Sequence, residues 1–141
     1  DDPGRSGLVC ASGEVLNGSD VTRLSDLPAL VFFNACEAAR VRRPRRASDV
    51  RRLFAFRRST SVAEGFLAGG VANFLGTHWP VGDQAAFTFS THFYERLLAG
   101  AALGDCVLDA RRRVHAQDSI DWADYVHYGS PDFTIGASDP N

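Results

Sequence analysis

A chain of 141 residues, 45% hydrophobic and 11% aromatic, is long and apolar enough for one packed core. That composition excludes a disordered or collagen-like chain, and no run of about 18 uncharged apolar residues offers a membrane span. The net charge of −2 hides a division: nine arginines between 40 and 58 face only Asp49, a local +8, while the remainder carries six arginines against sixteen acids.

In chain order, "DDPGRSG" has no initiator Met, no basic region and no apolar signal core, and so abrupt a start predicts a piece of something longer. "GLVCASGEVL" reads as two extended runs around a Ser12-Gly13 turn, and "GSDVTRL" as a short helix stopped near Pro28. "ALVFFNA" is continuously apolar and rich in β-formers, as a strand covered on both faces would be. Residues 40 to 58 form an arginine-rich loop, with a helical turn at "DVRRLFAF".

"SVAE", 61 to 64, fits a capping box in which Ser61 and Glu64 satisfy each other's amides. The helix it starts ends at Gly69-Gly70. "VANFLGT" is the next strand, and "HWPVGD" turns the chain at its end. Asp83 can cap the helix that follows, whose core stripe is Ala86, Phe89, Phe93 and Leu97, with Thr88, Thr91, His92 and Glu95 facing away. "ALGDCVLDARRRVHA" repeats the pattern through Leu103, Cys106, Ala110 and Val114, and "WADYVHYG" is a final strand. This alternation predicts an α/β fold with parallel strands, whose working residues stand at the strands' carboxyl ends. Cys36 lies at one such end and "THWPVGD" at the next.

Cys10, Cys36 and Cys106 are too widely spaced for a metal pattern or a disulfide framework, and their odd number without a secretion signal favours the reducing cytoplasm. Cys10 and Cys106 read as core residues. His78, His92, His115 and His127 lack the short pairing that a metal needs, so neither metal nor cofactor is expected. The basic loop reads first as a solvated loop. It matches no nucleic-acid module, and a nucleic-acid partner is not expected.

"LVFFNACEAA", "GFLAGGVANFLGTHWPVGDQAA", "FYERLLAG" and "WADYVHYG" resemble, in that order, the second half of the CHAT domain. This caspase- and separase-like cysteine peptidase domain is often attached to TPR repeats. The resemblance covers about residues 7 to 131. It implies a caspase-like fold, a mostly parallel sheet flanked by helices, with the whole of 1–141 forming the C-terminal portion of a single domain. It also implies peptide-bond hydrolysis of a protein substrate by a Cys-His dyad, with no cofactor.

The family's strand-terminal cysteine maps onto Cys36, with Asn34 where Ser is usual and Ala39-Arg40 where Thr-Gly is usual. The family's histidine comes from a His-Gly motif on the preceding strand. No His precedes Cys36 here, and the expectation is that it lies upstream of Asp1, in an N-terminal half. The resemblance further points to Asn34, Trp79 and Asp83 as lining the substrate pocket, where an acid would select a basic side chain. The arginines of 40–58 then become candidate self-processing sites. His78 is the one histidine at a strand's carboxyl end and so the alternative base. Three readings stand: a cysteine endopeptidase, an inactive CHAT-like protein-interaction module, and an unrelated module binding anionic partners through its basic loop.

Overall fold

The computed structural model describes residues 7–9, 11–34 and 62–136. Expectations placed on Cys10, Cys36, Ser61 and the loop 40–58 lie outside the described residues.

The first two runs are strands β1 (Gly7–Val9) and β2 (Val15–Asn17), paired antiparallel with Leu8 opposite Leu16. Gly13 makes the turn between them at φ +82°, a backbone angle that a side chain disfavours. Helix α1 (Gly18–Val21) follows, then strand β3 (Leu30–Phe33) and helix α2 (Val62–Gly69). Helix α2 comes so near α1 that a Cβ on Gly65 would stand 2.7 Å from the Gly18 Cα.

Strand β4 (Asn73–Thr77) is buried throughout and forms the middle of a three-stranded sheet. It runs parallel to β3, with Phe33 opposite Gly76, and antiparallel to β5 (Tyr125–Gly129), with Tyr125 opposite Thr77. The fold is thus α/β with a small mixed sheet, consistent with a partial caspase-like domain. Strand β5 begins at Tyr125 because Ile120–Ala123 form a 3-10 turn. There the Ser119 hydroxyl accepts from the Asp121 amide, and Arg111 Nε donates to the Trp122 carbonyl at 3.0 Å.

Alternation along each strand sends side chains to two faces. Val31, Phe33, Phe74, Val126 and Tyr128 meet α2 through Ala63, Phe66 and Leu67. On the other face, Phe32, Leu75 and Tyr125 meet helices α3 (Asp83–Leu98) and α4 (Leu103–His115). The run "LVFF" is continuously apolar because both faces are covered, as expected.

On α4 the buried set includes Leu103, Cys106, Ala110 and Val114, as its spacing predicts, and Val107 besides. On α3 it is Ala85, Thr88, Phe89, Phe93 and Leu97. Ala85 takes the place expected for Ala86, and Thr88 points inward. A buried hydroxyl needs a partner, and Thr88 Oγ1 accepts from Gln117 Nε2 at 3.0 Å. Among the described residues, no side chain caps either helix. Asp83 is the first residue of α3, whose cap position is Gly82. At the start of α4, the Leu103 and Gly104 amides each donate at 2.8 Å, to the Phe133 and Pro131 carbonyls.

Candidate functional site at the strand ends

Because β3 and β4 are parallel and in register, their carboxyl ends lie at the same edge of the sheet. Asn34 leaves β3 level with Thr77, and His78 and Trp79 continue from β4. Antiparallel β5 brings its amino end, Asp124-Tyr125, to that edge as well. The amino end of α3 is also there, since the Asn34 side-chain amide makes a long contact of 3.5 Å to the Ala86 carbonyl. Residues distant in sequence are thus gathered at the edge where the parallel pair β3 and β4 ends.

Of the expected pocket residues, Asn34 is exposed and held from two sides. Its Oδ1 accepts from the Tyr125 hydroxyl at 3.3 Å. Trp79 leaves 44% of its surface to solvent and so is not a core residue. Asp83 is exposed at the start of α3 and makes no cap bond. It is not the buried acid that a pocket floor requires. His78 is half-buried, its ring 6.4 Å from that of Trp79. Cys36 lies outside the described residues, two positions beyond Asn34.

Among the described residues, the buried acid at this edge is Asp124. It is fully buried, and its Oδ1 accepts from the His78 amide at 2.8 Å and the Trp79 amide at 2.9 Å. The His78 amide also lies 3.3 Å from the Asp124 carbonyl, extending the β4–β5 ladder by one step. Burial pushes the Asp124 carboxyl up, with the two amide bonds and the His78 charge opposing and Asp121 reinforcing. Its other oxygen, Oδ2, is buried with no hydrogen-bond partner among the described residues. Three residues earlier, Asp121 Oδ2 accepts from the Gly82 amide at 3.2 Å. The segment "DWADY" therefore grips the turn "HWPVG" at both ends and Asn34 from the side.

Reading the sequence alone misses Asp121, Asp124 and Tyr125. "DWAD" looks like any polar turn before a strand, and the one available signal was an acid directly preceding an apolar β-run. Elsewhere, a charged groove lined by His92, Glu95, Arg96, Asp109, Arg112 and Arg113 lies between α3 and α4. Asp109 pairs there with Arg96 at 3.1 Å and Arg112 at 3.5 Å. Among the described residues no cluster of His, Cys, Asp and Glu is built to hold a metal, and no helix is long and apolar enough to cross a membrane.

No curated protein and no solved structure matches the chain. The family model of the CHAT domain matches residues 1–130. Match, motif order and fold agree, and the chain belongs to the CHAT domain family.

Proposed function

We propose that this chain is the C-terminal portion of a caspase-like cysteine endopeptidase, cutting peptide bonds of a protein substrate with Cys36 as nucleophile. The observation that carries the reading is the shared edge. The strand leading to Cys36 and the strand leading to His78-Trp79 end side by side, which is where an incoming backbone amide would need both nucleophile and pocket wall. A thiol with an ordinary pKa of about 8.5 becomes a nucleophile when positive charge or a base favours the thiolate. The base is a histidine supplied from sequence preceding Asp1 or from another chain, with His78 as the alternative. The Cys36 amide would be one donor to the oxyanion. Asn34 and Trp79 are the pocket residues this geometry favours, with Asp83 at the rim, and TPR repeats are the family's usual neighbours.

The second reading is a CHAT-like interaction module without turnover. It is favoured by one observation: "NACEAAR" departs from the family's cysteine motif. Peptide hydrolysis by the protein that includes the upstream segment separates the two. Turnover that falls by about a thousandfold in Cys36→Ala supports the peptidase. Absence of turnover in a protein that does carry an upstream His-Gly motif supports the module. Loss of turnover in His78→Ala, with no histidine upstream, would transfer the base to His78.

A further inference from the structure

Asp124 stands outside every role assigned so far, and its surroundings are unusual. Burying a carboxyl with no ion pair among the described residues is costly, and leaving one oxygen there without a hydrogen bond adds to the cost. An asparagine or serine could accept one or two amides there without a charge to bury. What the carboxylate adds is strength. Bonds to an ionised acceptor are stronger than neutral ones, and Asp124 Oδ1 accepts two, at 2.8 and 2.9 Å. Both reach consecutive amides of one turn, so that they fix the two peptide planes on either side of His78, Thr77-His78 and His78-Trp79.

The turn is fixed from its far end too. Asp121 Oδ2 holds the Gly82 amide, and a Cβ on Gly82 would lie 3.4 Å from that same oxygen. The segment that carries these acids is tied to α4: the Arg111 guanidinium lies 5.3 Å over the ring of Trp122, which stands between the two aspartates in sequence, and its Nε donates to the Trp122 carbonyl. Helix α4 therefore holds the 3-10 turn, the 3-10 turn holds Asp121 and Asp124, and these hold the five residues 78–82.

We infer that Asp124, seconded by Asp121, is a positioning residue that sets the backbone of His78-Trp79 and thereby presents the Trp79 side chain as a wall of the site. The assignment of that wall to substrate binding rests on the proposed function; the clamp itself does not. A carboxylate that served only to stabilise the fold would be coupled to the whole sheet, whereas a positioning carboxylate acts on the turn alone.

The test is residue-resolved amide hydrogen exchange on the 141-residue chain carrying Asp124→Ala, Asp124→Asn or Asp121→Ala. In D124A the Trp79 amide should exchange at least about tenfold faster, and the His78 amide faster by a smaller factor because its bond to the Asp124 carbonyl remains, while Phe74 and Leu75 keep their rates. D124N, which retains an acceptor oxygen, should recover part of that protection, and D121A should release Gly82 alone. If D124A does not fold, D124N is read by amide proton shifts: His78 and Trp79 should move upfield with the β4 shifts unchanged. Unaltered His78 and Trp79 amides, or β4 amides changing by the same factor, would overturn the inference. In the hydrolysing protein D124N should raise KM more than it lowers kcat. That split is a separate readout, so a protein without turnover would remove the peptidase and leave the clamp to be judged on exchange.

Discussion

The Tyr125 hydroxyl donates to Asn34 Oδ1 at 3.3 Å, while the ring of the same residue lies flat on Phe89 with centroids 3.5 Å apart. One side chain thus ties the core beneath α3 to the residue that leaves β3 toward Cys36. Burial, with the nearby Asp124 and Asp121 charges, pushes its phenol well above the ordinary value of 10.0, so the hydroxyl remains a donor at any working pH.

The two roles of Tyr125 separate by substitution. Tyr125→Phe keeps the stack and removes one hydrogen bond whose acceptor is exposed, so it should cost about 0.5–1 kcal/mol. Tyr125→Ala leaves a hole against Phe89 and should cost about 3–5 kcal/mol. Urea unfolding of the two variants checks the ratio. Equal losses would mean that the bond to Asn34, and not the stack, dominates.

Gly65→Ala tests the contact between α1 and α2. Alanine favours a helix interior over glycine by about 1 kcal/mol, which alone predicts a gain. Here the new Cβ would meet the Gly18 backbone, 2.7 Å from its Cα and 2.9 Å from its carbonyl carbon. Backbone cannot rotate aside as a side chain can. Overpacking of this kind costs about 1–3 kcal/mol, and the variant should unfold at lower denaturant than the parent.

Acid should act on His127 and Asp124 with opposite signs. His127 is half-buried with Nε2 3.1 Å from Asn73 Oδ1, and burial holds its pKa below the ordinary 6.5. Below pH 6.5 the unfolded chain binds a proton that the folded chain refuses, so this group's contribution to stability falls with pH until the folded imidazole protonates. Asp124, raised above 3.8, does the reverse. As pH falls through its folded value the native state takes the proton first, and its contribution to stability rises toward pH 3.8. Denaturation midpoints measured from pH 7 to 4 should lose the first slope in His127→Gln and the second in Asp124→Asn. A His127→Gln profile identical to the parent's would remove His127 as its source.

Much of this architecture was legible before any coordinates. Leu103, Cys106, Ala110 and Val114 recur at helical spacing, and "LVFF", short and rich in β-formers, reads as a strand covered on both faces. The meeting of Asn34 with "HWPVGD" at one edge followed from reading both strands as parallel. What was not legible has a common cause. The direction of β5, the inward turn of Thr88 toward Gln117 and the grip of Asp124 on His78 and Trp79 are all contacts between elements far apart in the chain. Local pattern does not fix such contacts, and an acid directly before an apolar β-run was the one signal for Asp124. Asp83 shows the converse. Its place before an apolar run is that of a cap, but the helix starts one residue earlier, and Asp121 reaches across to hold the Gly82 amide instead.

The central claim concerns a single thiol, and covalent capture tests it most directly. The protein with its upstream segment would be treated with a peptidyl acyloxymethyl ketone, an electrophile that a catalytic thiolate attacks, and the adduct mapped by mass spectrometry. Cys106 is an internal reference, since it is fully buried and burial raises its pKa, so it should remain unmodified. The predicted result is one adduct, on Cys36, formed in proportion to lost hydrolysis. An unmodified Cys36, or label that accumulates on Cys10 or Cys106 instead, would contradict it.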